Sequence, residues 1–168
     1  MKKSESTLKP HYLDASVMVE LVVDEEYSDR VRSYVFEPSQ SWRLCTSHCF
    51  SESLNVLKAK TNRKDLSDRA YIASSRRLFR LARMGDVKVV HMDVHCINGF
   101  AEAERLVKLH KIDFIDAFQL ISIKVSWPQL APPSHPLLVT ADDKLSKAAK
   151  KESIRVWMCR ETERPTLM

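Results

Sequence analysis

The chain has 168 residues, 44% hydrophobic and 29% charged, with a formal net charge of +5. That fits one globular domain with a sizeable core and excludes a disordered chain. The positive balance permits a polyanionic partner without demonstrating one, and no apolar run can span a membrane, since the stretch from Val17 to Val23 already contains Glu20.

Residues 1–10 read as a disordered lead with no apolar signal region, and 161–168 as a polar tail. His11 to Leu13 is a first strand, followed by helical patterns at 16–23 and 28–36. Arg43 to Cys45 is a brief strand, and Thr46 or Ser47 can cap the helix that runs to about Lys60. Asp65 is expected to cap a long helix to about Arg83, which Gly85 ends. Val87 to His91 is a strand. Asp93 then caps a helix to about His110, with Ile97, Phe100, Ala103 and Leu106 on its inner face. A helix from Asp113 through Val125 is expected to end by Pro128, and a stiff proline loop spans 127–136. Leu137 to Thr140 is a buried strand, Asp142 or Asp143 starts a helix to about Glu152, and Ile154 to Trp157 is the last strand. Strands alternating with helices predict an α/β domain with a mostly parallel sheet covered on both faces. With only Gly85 and Gly99, no glycine-rich phosphate loop can be built.

Acids stand where these elements meet. Asp14 follows a strand and precedes a helix, the place where open α/β sheets bind ligands. Asp14 can itself cap that helix, since Asp is a favoured N-cap; Ser16 can also serve, which leaves Asp14 freer for chemistry. Asp142 repeats the arrangement after the strand ending at Thr140; one of Asp142 and Asp143 caps the next helix, and Asp142 lies nearer the strand end. Asp113 reads as a helix cap with Asp116 at the third helical position. Glu52, alone, reads as a surface residue of a core-facing helix and gains weight only from the other acids. Glu20, Asp24, Glu25 and Asp68 read as solvated or capping charges. Clustered carboxylates suit a hard divalent cation such as magnesium or manganese. The thiols Cys45, Cys49, Cys96 and Cys159 are expected to be reduced in a cytosolic protein. His48 with Cys45 and Cys49 does not complete a zinc set, because no second close pair follows. An aspartyl-nucleophile phosphohydrolase would want a second acid where Ser16 stands.

Four segments taken in order, Leu13-Asp14-Ala15-Ser16, the helical Glu52, Ile115-Asp116-Ala117-Phe118-Gln119-Leu120 and Val139-Thr140-Ala141-Asp142-Asp143-Lys144-Leu145, resemble the PIN-domain ribonucleases. The likeness is greatest to the VapC-like toxins of toxin–antitoxin modules. It covers Tyr12 to Trp157, within a domain taken as 11–160. It implies a PIN-like α/β/α sandwich and an endoribonuclease that uses Mg2+ or Mn2+ to activate a water against RNA phosphodiesters. It also implies that Asp14, Glu52, Asp116 and Asp142 are the metal-binding and catalytic acids, that an antitoxin inhibits the protein, and that the chain forms a homodimer. The competing reading is a non-catalytic PIN-like module that binds RNA or protein.

No histidine stands in a catalytic context, and no aromatic array suited to stacking bases is visible in the sequence. Arg69, Arg76, Arg80 and Arg83 fall on one face of their helix, opposite Tyr71, Leu78 and Ala82. That stripe is ready for RNA phosphates or for an acidic antitoxin.

Overall fold

In the computed structural model, residues 9–37, 41–92, 97–130 and 136–161 are described. The strands are β1 (Lys9–Leu13), β2 (Ser41–Thr46), β3 (Lys88–Val90), β4 (Leu137–Thr140) and β5 (Arg155–Met158). The helices are α1 (Ala15–Glu20), α2 (Ser28–Val35), α3 (Ser47–Asn62), α4 (Asp68–Met84), α5 (Ile97–His110), α6 (Phe114–Leu130) and α7 (Asp143–Lys151).

The sheet has five strands in the order β3-β2-β1-β4-β5. Every pairing is parallel. Parallel neighbours need crossover connections, and the helices that supply them cover both faces. The two-residue period of a strand then sorts the side chains. Leu13, Cys45, Val139 and Trp157 join a core with α1, α2, α3 and α4 through Val17, Val31, Leu57 and Leu78. Tyr12, Leu44 and Leu138 face the other way, onto Ala103, Leu106, Leu120, Ile123 and Leu145 of α5, α6 and α7. The result is an α/β/α sandwich. The strand order reverses at β1, which pairs with β2 on one side and β4 on the other. Diverging connections open a crevice at the carboxyl ends of β1 and β4.

Several local expectations change. β1 begins at Lys9, inside the expected lead, while residues 1–8 and 162–168 lie outside the described residues, as do Asp93 and Cys96. Ser67, not Asp65, caps α4 by accepting from the Ala70 amide at 3.2 Å; Asp65 pairs with Arg63 instead. Gly85 ends that helix in the left-handed region at φ 84°. Phe100 is 49% exposed, because Gly99, Ala103 and Leu106 form the buried face of α5. The α6 backbone passes Pro128 and continues to Leu130. A proline in the last turn gives up one amide donor, and its φ is already near the helical value. Of the expected proline loop, 131–135 lie outside the described residues. Glu20 is buried rather than solvated, and it accepts from the Ser28 hydroxyl at 2.7 Å.

Candidate metal centre

Asp14 closes β1. Its amide donates to the Val139 carbonyl at 3.0 Å, which extends the β1–β4 ladder by one step. Asp14 is 4% exposed, and of the two caps the sequence offers, Asp14 and Ser16, it is the Asp14 carboxylate that caps α1. Ser16 instead donates its hydroxyl to Asp14 Oδ2 at 2.6 Å and accepts from the Ala141 amide at 3.0 Å. Thr140 Oγ1 also donates to Asp14 Oδ2, at 3.0 Å, and accepts from the Asp142 amide at 2.9 Å. These hydroxyls join the turn after β1 to the turn after β4 and fix the Asp14 carboxylate between them.

Asp142 is exposed and caps α7, its Oδ1 accepting from the Lys144 and Leu145 amides at 2.6 and 2.9 Å. Asp143 lies in the first turn of α7, within 3.8 Å of Arg160. Asp113 accepts from the Asp116 amide at 2.9 Å, which turns Asp116 into the first turn of α6. Thr46 caps α3 by accepting from the Cys49 amide at 3.1 Å, and Glu52 follows in the second turn. Asp14, Cys49 and Glu52 each offer a ligand atom, and those atoms lie within 4.8 Å of one another.

The acids act on each other electrostatically. Burial pushes the Glu52 carboxyl up to about 7, and Asp14, Asp113 and Asp142 add repulsion. Burial pushes Asp116 up to about 8, with repulsion from Asp113, Asp14, Asp142 and Glu52. Burial also raises Asp14, against the opposing hydrogen bonds of Ser16 and Thr140. The expected residues Asp14, Glu52, Asp116 and Asp142 thus feel one another, and Asp113 joins them. The sequence marked Asp113 only as a cap, and it is that as well.

Among the described residues, no hydrogen-bond donor meets the Glu52 or Asp116 carboxylate. Half-buried acids without donors, crowded by like charge, are poorly stabilised as anions. A divalent cation removes that repulsion, so the donor set fits one. Oxygen donors select a hard ion. Burial raises the Cys45 and Cys49 thiols far above their ordinary range, so both stay protonated in the metal-free protein. Of the remaining sulfurs, Cys159 is a free, buried thiol.

Cationic side chains stand at the same end of the sheet. An open groove of about 370 Å³ is lined by Ser16, Ala141, Asp142, Asp143, Lys144 and Arg160. On α4 the arginine stripe is exposed as expected, with Leu78 buried opposite. Phe79 packs edge-on against Phe50 of α3 at 5.3 Å. A second groove there, of about 440 Å³, is lined by Arg76, Phe79, Arg80, Arg83 and Met84.

No protein-family model matches the sequence, and no curated protein sequence matches it. Solved structures do match. PAE2754 from Pyrobaculum aerophilum is 17% identical, with a TM-score of 0.57 over 85% of this chain and 86% of that one. A chain of VapBC-1 from nontypeable Haemophilus influenzae is 11% identical, with a TM-score of 0.57 over 90% of this chain and 99% of that one. At such identities the likeness speaks for the fold. With its all-parallel five-stranded sheet between two helical layers, the chain has a PIN-like α/β/α fold.

Proposed function

We propose that this protein is a divalent-metal-dependent endoribonuclease of the VapC type, acting as the toxin of a toxin–antitoxin pair. One observation carries the reading. Acids from four separate segments, Asp14, Glu52, Asp116 and Asp142, repel one another across the crevice at the carboxyl ends of β1 and β4. The fold shared with a VapBC-1 chain supports the same conclusion.

Asp14, Glu52, Asp116 and Asp142 would hold the ion, Mg2+ or Mn2+. When bound, such a cation acidifies a water and offsets charge on a phosphodiester. Ser16 and Thr140 orient the Asp14 carboxylate through its Oδ2 and keep it from turning away. Glu52 and Asp116, raised to about 7 and 8, would release their protons on loading. Lys144 and Arg160 offer cationic contacts to the RNA backbone beside Asp142.

The VapBC-1 likeness also supports an antitoxin partner, and the groove of Arg76, Arg80 and Arg83 with Phe79 and Met84 suits an acidic, partly apolar one. No described helix is long and apolar enough to cross a membrane. The proposal places the protein in the cytoplasm, where its free thiols would stay reduced.

Calorimetric titration of Mn2+ tests the centre. Wild type should bind, and Asp116→Asn should bind at least about tenfold more weakly. Equal affinity in the two proteins would remove the proposed centre.

A further inference from the structure

We propose that His48, Phe118, Phe114 and Phe100 form a stacking platform for the bases of single-stranded RNA beside the carboxylate centre. This rests on the reading of that centre as one that acts on RNA.

The rings come from α3, α5 and α6 and form a continuous row. His48 lies 5.4 Å from Phe118, Phe118 lies 6.0 Å from Phe114, and Phe114 lies 5.8 Å from Phe100. Phe100 and Phe114 are stacked with planes only 11° apart. They are also 49% and 40% exposed. Two stacked phenylalanines left this exposed present apolar aromatic surface on which a further ring can pack.

The position of the row names its occupant. Phe114 sits in the chain between Asp113 and Asp116. His48 stands one turn before Glu52 on α3. The row therefore runs alongside these acids in the chain. Asn98, Ala101, Lys111 and Asp113, exposed residues near these rings in the chain, are small, polar or charged. Among the described residues, the apolar exposure beside the acids on α5 and α6 is thus mainly aromatic.

Charge on the other flank agrees. α3 follows β2, on one side of β1, whereas Lys144 and Arg160 follow β4 and β5, on the other. A polynucleotide crossing the crevice would meet Lys144 and Arg160 beside Asp142, and the rings beside Glu52, Asp113 and Asp116. Single strands are bound by this pairing of basic groove and aromatic faces. A duplex keeps its bases stacked inside and could not use the rings. The sequence hid the row, because positions 48, 100, 114 and 118 show helical spacing only between the last two.

The test is fluorescence anisotropy with a labelled oligoadenylate of about eight nucleotides, in EDTA so that no strand is cut. Its abasic counterpart and an RNA duplex serve as comparisons. Phe100→Ala and Phe114→Ala should each weaken oligoadenylate binding about fivefold or more, with abasic binding unchanged. Phe100→Trp should restore binding, and thermal melting should show all variants folded. Equal affinity of wild type for the base-bearing and abasic strands would overturn the platform. So would alanine variants that bind like wild type, or no binding of the oligomer at all. A loss of dimer in Phe100→Ala, with RNA affinity unchanged, would assign the rings to a second copy of the chain and overturn it too. Cleavage of RNA by a protein whose ring variants bind normally would remove the platform and leave the nuclease. Ring-dependent binding by a protein that cuts nothing would do the reverse.

Discussion

Asp116 and Glu52 make the metal-free protein sensitive to pH in a defined direction. Their carboxyls stand at about 8 and 7, against ordinary values of 3.8 and 4.5. A raised folded-state value means that the folded protein holds protons the unfolded chain has lost. Their contribution to stability is therefore full below the ordinary values and disappears as pH rises through about 7 to 8. Without metal, melting temperature should fall from about pH 5 to about pH 8. Asp116→Asn should flatten that fall, and so should added Mn2+. A melting temperature that rises over the same range, in wild type and variant alike, would contradict the electrostatic account. Asp14 has a second, structural duty. It caps α1 and accepts from two hydroxyls, so Asp14→Ala should cost about 2 kcal/mol. Asp14→Asn keeps an acceptor oxygen and should cost less than half as much in urea unfolding. The sequence located Asp14 and Asp142 because a strand–acid–helix junction is a local pattern. It did not show that Thr140 holds Asp14, because that contact spans 126 positions.

Glu152, at the end of α7, ties three elements together. It accepts from His110 of α5 at 2.8 Å, Lys124 of α6 at 2.7 Å and Arg105 of α5 at 3.0 Å. Burial works to raise its carboxyl, but the three donors outweigh it and hold it at about 2. Here the folded value is depressed, so the stability it contributes is present above about 4.5 and lost as pH falls toward about 2. Glu152→Gln should cost about 2 kcal/mol at neutral pH, with the gap from wild type closing in acid. On α4, replacing Arg76 and Arg80 by alanine should make RNA binding less steeply dependent on salt, with Mn2+ affinity unchanged, if the stripe meets phosphates. An unchanged salt slope would leave those arginines to a protein partner. Strand and helix order was legible throughout, because period and capping residues are local signals. The α5 face was misjudged at Phe100: a periodic pattern fixes a face only to within a residue, and burying Gly99 there rotates Phe100 outward.

At the scale of the whole chain, topology brings the acids together. β1 sits in the middle of the sheet, so whatever follows β1 and β4 must share the crevice, with α3 and α6 closing over it. A net charge of +5 around an acidic centre fits a protein that draws in a polyanion and neutralises the acids with a cation. The alternation of elements in the sequence predicted the parallel sheet; the strand order, and hence the crevice, needed the structure. The most direct test is RNA cleavage by wild type and Asp14→Asn, each with Mg2+ or Mn2+ and again in excess EDTA. Wild type should cut only with the metal, and Asp14→Asn, folded by thermal melting, should lose on the order of a hundredfold or more. Cleavage by wild type at full rate in EDTA, or by Asp14→Asn at the wild-type rate, would contradict the account.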